Sequence, residues 1–460
     1  MKTHQVIDRP FSWFSIFRLG LAQLCLGAVV VLTTSVLNRI MVVELALPAM
    51  LPGLLVALHY AVQMVRPRMG YGSDMMGRCT PWILGGMAVL GTGGVLAALA
   101  TTLMPTESLL ATLLAIVAFS MIGLGVSASG TSVIVLLAKR VEDQRRAAAA
   151  TIVWLMMIMG LAMTAGITGQ LLDPYSPERL LMISAVVSSA AMTITIIALF
   201  RVEGEASRGH HDVQSRHHHS VTTSSPKPSF REVIAAVWQE SAARQFTIFV
   251  FISMLAFSAQ DLILEPFAGI VFQYTPGQTT SLSGLQHSGV LSGMVIVAFA
   301  CGRFGNRPFG SLRFWTVGGC IASAFALLSL VAAGMVGGNY PLKLTVFALG
   351  LFNGAFSIAA IASMMKLAGE GRGGREGTRV GLWGAAQAIA FGAGGLLGAT
   401  ASDLARALID HPGFAYGAVF FTEALLFLIA AKLAMRIGTA EATVTPQRSS
   451  WTPKEQHELA

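Results

Sequence analysis

The chain has 460 residues, of which 54% are hydrophobic and only 12% are charged, and its mean hydropathy is +0.66. Soluble domains carry about 25% charged residues, so this composition excludes an ordinary soluble enzyme or binding domain. The formal net charge is +8. Because the basic residues lie between apolar stretches, the charge predicts membrane topology and not nucleic-acid binding.

Twelve apolar stretches follow one another along the chain, and each is long enough to cross about 30 Å of hydrocarbon. Their approximate bounds are residues 14–43, 49–69, 81–104, 108–138, 147–172, 178–200, 245–272, 281–304, 313–336, 341–367, 378–403 and 413–436. The sequence therefore predicts an all-α membrane protein with twelve transmembrane helices in two six-helix halves.

The division into halves follows from a polar segment in the middle of the chain. Residues 201–243 are charged and rich in Ser and His, and such a composition does not bury enough apolar surface to form a core. We assign residues 1–200 and 244–437 to the two halves, with 201–243 as a cytoplasmic linker. Residues 438–460 are predicted to form a cytoplasmic tail.

The distribution of basic residues predicts the orientation in the membrane. Of the 31 lysines and arginines, all but Arg39, Arg179, Lys343 and Arg406 fall on the side that holds both termini. Short cytoplasmic loops are enriched in Lys and Arg, so both termini are predicted to be cytoplasmic. The ends that carry the four exceptions are predicted to be periplasmic.

The connection after the second helix has the spacing Gly-x3-Asp-x2-Gly-Arg, formed by Gly70, Asp74, Gly77 and Arg78. This spacing fits the loop signature of the major facilitator superfamily. The connection after the eighth helix, residues 302–310, keeps glycine and arginine but has no aspartate, as expected for a diverged repeat. The sequence thus predicts a major-facilitator fold with two six-helix pseudo-repeats.

Polar residues within the first and seventh helices are unusual, because an ionisable group inside a membrane span costs about 3 kcal/mol or more. We predict that these residues form a polar cluster between the halves: Asn38, Arg39, Glu44, Gln260, Asp261 and Glu265. Our hypothesis is that Arg39 pairs with Asp261 or Glu265 as a periplasmic gate or clamp. For Arg39 and Glu44, an ordinary position at the membrane boundary is the alternative interpretation.

His59 and His287 occupy the repeat-related second and eighth helices. A neutral imidazole is a good axial ligand for the magnesium of a chlorin ring, so both residues are candidate pigment ligands. The alternative is that each histidine makes a hydrogen bond between or within helices. The sequence leaves both interpretations open.

Two absences from the sequence bear on function. The fourth helix has no basic residue between Glu107 and Lys139, whereas many proton-coupled members of the superfamily carry an arginine there. This absence weakens the interpretation that the protein is a proton-driven sugar or drug carrier. The sequence also offers no nucleophile with a base, no nucleotide-binding loop and no metal-ligand spacing. We therefore expect neither an enzyme nor a metal site.

Residues 18–74, 77–90 and 259–269 closely resemble the PucC/LhaA-type family, the bacteriochlorophyll-delivery branch of the major facilitator superfamily. Cys79 departs from the family pattern, which has a second basic residue there. The positions that match family-type residues are Asn38, Arg39, Glu44, His59, Tyr60, Arg66, Arg68, Asp74, Gln260, Asp261, Glu265 and Pro266.

The resemblance implies a role in assembling the light-harvesting antenna of photosynthetic bacteria, in the inner (intracytoplasmic) membrane. Bacteriochlorophyll would be bound as cargo, and the expected partners are antenna polypeptides, bacteriochlorophyll or the enzymes that make it, and membrane lipid. Two alternatives remain: a secondary active transporter of a porphyrin-like or other amphipathic solute, and a structural chaperone for antenna polypeptides that binds no pigment.

Overall fold

The computed structural model describes residues 11–65, 78–203, 238–304, 307–370 and 376–440, which form helices and their connections without any strand. Eleven helices in these ranges are long and apolar enough to cross a membrane, and Met50–Val65 is a shorter apolar helix. The prediction of an all-α, multi-pass membrane protein is confirmed.

The twelve helices begin and end close to the predicted bounds, and we number them in chain order. They are α1 Trp13–Glu44, α2 Met50–Val65, α3 Thr80–Leu103, α4 Ser108–Arg140, α5 Asp143–Leu171, α6 Pro177–Leu199, α7 Ser241–Val271, α8 Pro276–Arg303, α9 Leu312–Val336, α10 Leu342–Glu370, α11 Glu376–Leu408 and α12 Pro412–Ala440.

Local sequence explains where several of these helices begin. Proline stands in the first turn of α3, α6, α8 and α12, where its missing N–H costs nothing. The Ser176 hydroxyl accepts from the backbone N–H of Arg179 at the start of α6. At the start of α8, Thr275 and Gln278 form a reciprocal capping box.

The two halves repeat the same packing arrangement. Helix α1 packs on α5 and α6, as α7 packs on α11 and α12. Helix α4 packs on α2 and α3, as α10 packs on α8 and α9, and α3–α6 corresponds to α9–α12. The predicted pair of six-helix pseudo-repeats is therefore present, although residues 204–237 between them lie outside the described residues.

The halves meet along two repeat-related seams, α5–α8 and α2–α11. Glycines let the backbones approach closely in the first seam: a Cβ added to Gly169 would lie 2.6 Å from the Ser281 nitrogen, and one added to Gly284 would lie 2.7 Å from the Gly166 nitrogen. In the second seam, a Cβ added to Gly53 would meet the Ala399 side chain at 2.9 Å.

The segment predicted as the linker is partly built into the halves. Glu203 is buried, and its carboxylate accepts from the Cys79 and Thr80 backbone N–H groups at 2.7 and 2.8 Å. It thereby caps the N-terminus of α3, an interaction that the polar composition of 201–243 did not indicate. Helix α7 also begins at Ser241, so the last three residues of the predicted linker belong to it.

Candidate functional site between the two halves

The second half of α1 leaves regular α-helical geometry twice, at Leu32–Val36 and at Ile40–Glu44, where the backbone forms π-helical turns. Single π-turns inside helices are frequent at functional sites. Between and within these turns lie Ser35, Asn38 and Arg39, all buried. The irregular part of α1 thus holds three buried polar side chains at the boundary between the halves.

Asn38 and Ser35 bind directly to the other half. The Asn38 amide donates to the Leu262 carbonyl of α7 at 2.7 Å. The Ser35 hydroxyl donates to Glu265 of α7 and lies 3.0 Å from the Ser283 hydroxyl of α8. These contacts satisfy buried polar groups across the interface, which fixes the register of α1 against α7 and α8.

Arg39 is almost completely buried, with 2% of its surface exposed. Its guanidinium donates to the Glu44 carboxylate in the same helix, and its Nη2 donates to the Tyr274 carbonyl of the other half at 2.8 Å. The hypothesis that Arg39 forms an ion pair with Asp261 or Glu265 is wrong for this conformation. The π-turn at Ile40–Glu44 brings Glu44 back to the guanidinium and supplies the nearer partner.

Asp261 and Gln260, the remaining predicted cluster residues, lie on α7. The Asp261 carboxylate accepts a long hydrogen bond, 3.4 Å, from the Gln286 amide of α8. The Gln260 side chain is fully buried, and neither of its amide atoms has a hydrogen-bond partner within the described ranges. An unsatisfied buried amide is costly, so Gln260 marks a place where a polar ligand or water would be stabilised.

Two carboxylates that the sequence analysis did not single out close the predicted periplasmic face. Asp173, after α5, accepts from the Thr275 hydroxyl at 2.5 Å and from the Gly277 N–H at 3.0 Å, at the start of α8. Asp403, near the end of α11, accepts from the Ala49 and Met50 N–H groups at 2.9 and 2.7 Å, at the start of α2.

Each of these carboxylates therefore caps a helix of the opposite half, and the two caps are related by the repeat. Charge-assisted bonds to a helix N-terminus also interact favourably with the helix dipole. The sequence signal that would have found them is an acidic residue at the corresponding ends of α5 and α11.

Tyr175 lies in the connection between α5 and α6, outside the membrane-spanning segments, and its pKa depends on the charges of Arg39 and Glu44. Burial raises the pKa of its phenol above the usual value. The Glu44 charge raises the pKa of Tyr175 further, whereas the Arg39 charge lowers it.

The two candidate pigment ligands both make hydrogen bonds within their own helices. The His59 Nε2 lies 2.7 Å from the Gln63 amide nitrogen, and the ring packs edge-on against Tyr60. The His287 Nδ1 lies 2.8 Å from the Ser283 carbonyl. If that nitrogen donates to the carbonyl, Nε2 of His287 is the acceptor, which is the arrangement of many metal-ligating histidines.

Of the predicted cytoplasmic loop motif, Gly70, Asp74 and Gly77 lie outside the described residues. Arg78 is described, and its Nε lies 4.0 Å from the Glu203 carboxylate. Arg140 donates to the Glu203 backbone carbonyl at 3.2 Å. On this face, arginines therefore surround the same acidic residue that caps α3.

Glu423, in α12, is a further buried carboxyl that the sequence analysis missed. Only 2% of its surface is exposed, and it lines an apolar cavity between α7, α11 and α12. Its signal in the sequence is plain, because it is an acidic residue eleven positions into an apolar span. Within the described part of the chain, no group of three or more His, Cys, Asp or Glu side chains is placed to hold a metal ion.

Comparison with solved structures shows what this fold resembles. A peptide transporter in complex with sulfate superimposes with a TM-score of 0.66 at 15% sequence identity, covering 94% of this chain and 97% of the transporter. A D-xylose–proton symporter superimposes with a TM-score of 0.67 at 13% identity, covering 92% and 98%. The predicted major-facilitator fold is confirmed, and identities this low bear on the fold alone.

Sequence comparison identifies closer relatives. A Rhodobacter capsulatus protein named bacteriochlorophyll synthase 44.5 kDa chain is 53% identical over 429 residues, covering 93% of this chain and 96% of the relative. Protein PucC of Cereibacter sphaeroides is 29% identical over 437 residues, covering 90% of each chain. The profile of the PUCC protein family matches residues 36–442. The chain therefore belongs to the PUCC protein family.

Proposed function

We propose that this protein is an assembly factor for bacterial light-harvesting complexes, and that it binds bacteriochlorophyll or delivers it to antenna polypeptides. The observation that carries the proposal is membership of the PUCC family over residues 36–442. The name of the 53% identical relative, which contains the word bacteriochlorophyll, also supports the proposal. The proposed location is the bacterial inner, intracytoplasmic membrane, with both termini in the cytoplasm.

The proposed role is pigment handling and not catalysis, although the word synthase occurs in the name of that relative. The described polar groups of the interface, such as Asn38, Ser35 and Asp173, make hydrogen bonds that join helices of the two halves. Such contacts support a structural role. We expect the purified protein to form no bacteriochlorophyll from supplied precursors, and formation at a rate above that of a protein-free control would overturn this part of the proposal.

The main experiment is affinity purification of the tagged full-length protein from pigmented membranes, with absorbance and antenna polypeptides measured in the same eluate. We expect bacteriochlorophyll and antenna polypeptides to elute together with the protein. A matched control is a tagged, unrelated membrane protein of similar abundance. Elution of the protein with neither pigment nor antenna polypeptides would contradict the proposal, and antenna without pigment would favour a structural chaperone.

A second candidate function, secondary transport of a porphyrin-like or other amphipathic solute, is favoured by the similarity in fold to a peptide transporter and a proton symporter. Alternating access requires the Asp173 and Asp403 caps to open during each cycle. Uptake of pigment into proteoliposomes that depends on a proton gradient would favour this transporter, whereas the assembly factor needs no gradient.

A further inference from the structure

The start of α9 and the end of α12 enclose a cavity of about 490 Å³. Because the span of α9 begins at Leu312, the cavity lies where the headgroups of one leaflet meet the hydrocarbon. The volume is within the range of small-molecule pockets, which is about 300–1,000 Å³. Its lining residues include Ser311, Arg313, Phe314, Val317, Gly318 and Met435.

The polar and apolar parts of this cavity follow one another along α9. Ser311 and Arg313 lie at the helix start, whereas Val317 and Gly318 lie further into the span. Gly318 is seven positions after Ser311, which corresponds to about 10 Å of helix. The headgroup layer on each side of a bilayer is about 5–8 Å thick. The cavity therefore reaches from that layer into the hydrocarbon, and a ligand that fills it would be polar at one end and apolar at the other.

The apolar end of the cavity is open to the bilayer. A Cβ added to Gly318 meets no atom of the described residues within 4 Å. Phe314 and Met435, which line the same cavity, are 41% and 43% exposed. Exposed apolar side chains on a membrane span face hydrocarbon and not water. A hydrocarbon chain can therefore enter this end laterally.

Arg313 supplies the charge at the polar end. Its Nη2 donates to the Met435 carbonyl at 2.7 Å, which holds the guanidinium between α9 and α12. A guanidinium has five N–H donors, and the described hydrogen bond of this side chain uses one of them. The fork of donors that remains matches the oxygens of a phosphate.

Four further cations accompany Arg313 on this predicted cytoplasmic face. Arg303 ends α8, and Arg307 lies in the connection before α9. Lys432 and Arg436 lie in the last turns of α12. All four are exposed. Such a basic corner attracts the anionic lipids of the cytoplasmic leaflet.

The repeat-related corner of the first half carries its own anion. There, the Glu203 carboxylate lies at the start of α3, 4.0 Å from the Arg78 guanidinium. Helix α9 is the counterpart of α3, but the sequence has no Asp or Glu at residues 266–369 or 424–440 that could take the place of Glu203. An anion at the α9 corner therefore has to come from outside these two segments.

We propose that this cavity binds an anionic phospholipid, with the phosphate on Arg313 and one acyl chain lying along α9 past Gly318. The membrane supplies such a lipid at the depth of the cavity, and its phosphate is the counterpart of the Glu203 carboxylate in the first half. The bound lipid would join the start of α9 to the end of α12. This site is independent of the proposed role in pigment handling.

Other ligands fit these observations less well. A free phosphate ion would bind Arg313 but would leave the apolar end at Val317 and Gly318 unfilled. An acidic polypeptide segment would match the charge, but the end that lies within the span suits a hydrocarbon chain better than a polar backbone. A phospholipid matches both ends of the cavity.

The test is a titration of the purified full-length protein in detergent with phosphatidylglycerol and, separately, with diacylglycerol, which has the same chains without the phosphate. Mass spectrometry of the intact complexes measures the amount of each lipid bound. We expect the wild type to prefer phosphatidylglycerol about tenfold or more, as one charge-assisted hydrogen bond predicts, and Arg313→Gln to lose that preference. Arg244→Gln removes an exposed arginine at the start of α7. It is the matched control and should keep the preference.

A second pair of variants tests the apolar end. Gly318→Phe fills the space along α9 and should lose binding of both lipids. Gly85→Phe, in the repeat-related α3, is the matched control, because an added Cβ there also meets no atom of the described residues within 4 Å. It should bind both lipids like the wild type. Elution volumes in size-exclusion chromatography verify that each variant is folded.

Each contrary result overturns the inference and identifies a different explanation. Equal losses in Arg313→Gln and Arg244→Gln would show a general attraction to a basic face and no site. Displacement of phosphatidylglycerol by an equimolar amount of inorganic phosphate would show that the ion alone is bound. No preference in the wild type would also overturn it, and if Glu441→Gln then creates a preference, a carboxylate of this chain occupies the site. If Arg313→Gln keeps the lipid preference but loses antenna polypeptides in the affinity purification, the cavity binds an acidic polypeptide.

Discussion

The two seams between the halves end in the same kind of helix cap, but their helices pack differently. In both, a carboxylate from one half caps the first turn of a helix in the other, through Asp173 in α5–α8 and Asp403 in α2–α11. Along α5–α8, however, the backbones touch through glycines, whereas α2–α11 meets through side chains such as Ala399 and Tyr60. An added Cβ at Gly169 or Gly284 of the first seam would meet backbone atoms, whereas one at Gly53 or Gly392 of the second seam would first meet side-chain atoms.

This difference separates the two kinds of contact that hold the halves together. Glycine-mediated backbone contact is strong only at one register, whereas a side-chain contact tolerates small shifts of the helices. We therefore expect α5–α8 to set the relative position of the halves. We expect α2–α11 to depend more on its carboxylate cap.

The largest expected effect comes from a methyl group placed in the tight seam. Gly169→Ala would bring its Cβ within 2.7 Å of the Gly277 carbonyl and should cost about 1–3 kcal/mol through overpacking, seen as a lower apparent melting temperature. Gly166→Ala in the same helix is the control, because its added Cβ meets no atom within 4 Å. In the other seam, Gly392→Ala would bring its Cβ to 3.3 Å from the Tyr60 Cβ and should cost less than Gly169→Ala. Equal losses at Gly169 and Gly392 would contradict the comparison.

Removal of the caps should affect the seams in the opposite order. Loss of a capping carboxylate costs about 1–2 kcal/mol, and we expect Asp403→Ala to loosen α2–α11 more than Asp173→Ala loosens the glycine-packed α5–α8. The measurement is the rate at which maleimide labels a cysteine placed at a buried position, Ala399 for α2–α11 or Thr280 for α5–α8. The four native cysteines are removed from the background.

The exposed Asp410, on the same face, provides the control for these cap variants. Asp410→Ala should leave both labelling rates unchanged. A contrary result is that Thr280→Cys is labelled faster in the Asp173→Ala variant than Ala399→Cys is in the Asp403→Ala variant. It would show that the glycine contacts do not hold the α5–α8 seam together.

A smaller effect is expected in the polar cluster between the seams. Ser35→Ala removes one donor to buried Glu265 and should cost about 0.5–1.5 kcal/mol, because the carboxyl then loses a buried hydrogen bond. Ser35→Ala combined with Glu265→Leu should be less destabilised than Ser35→Ala alone, since the buried carboxyl that lost its donor is then absent. Thermal unfolding in one detergent measures the stability of the single and double variants. If the losses of stability are strictly additive, Ser35 and Glu265 are not coupled.

The smallest predicted effect is spectroscopic. Because the Glu44 charge raises the pKa of Tyr175 and the Arg39 charge lowers it, Glu44→Gln should lower this pKa and Arg39→Gln should raise it. The tyrosinate absorbance, taken as a difference from the matching Tyr175→Phe variant, gives the titration. Shifts of the same sign in both variants would show that Tyr175 does not lie beside this ion pair.

Hydropathy predicted the helices well, because each span must satisfy its own backbone in hydrocarbon. The membership of the predicted polar cluster stays a prediction, and the partners of its residues differ from the hypothesis. Arg39 was assigned to Asp261 or Glu265, and the π-turn that returns Glu44 to it depends on packing that no periodicity records. Asp173 and Asp403 were missed because their hydrogen bonds join helices distant in sequence. Glu423 could have been predicted from the sequence, because an acidic residue inside an apolar span is rare.

The proposed assembly factor is distinguished from an alternating-access transporter most directly by asking whether pigment handling needs the halves to separate. Cysteines placed at Asp173 and Thr275, whose side chains are hydrogen-bonded at 2.5 Å, can be joined by a short cross-linker that forms reducible disulfides, in a background without the four native cysteines. The rate of bacteriochlorophyll transfer from nanodisc-bound protein to antenna polypeptides is then measured against each single-cysteine variant treated identically. We expect the cross-linked protein to transfer pigment at the control rate. Loss of transfer on cross-linking, with recovery on reduction, would contradict it and support alternating access.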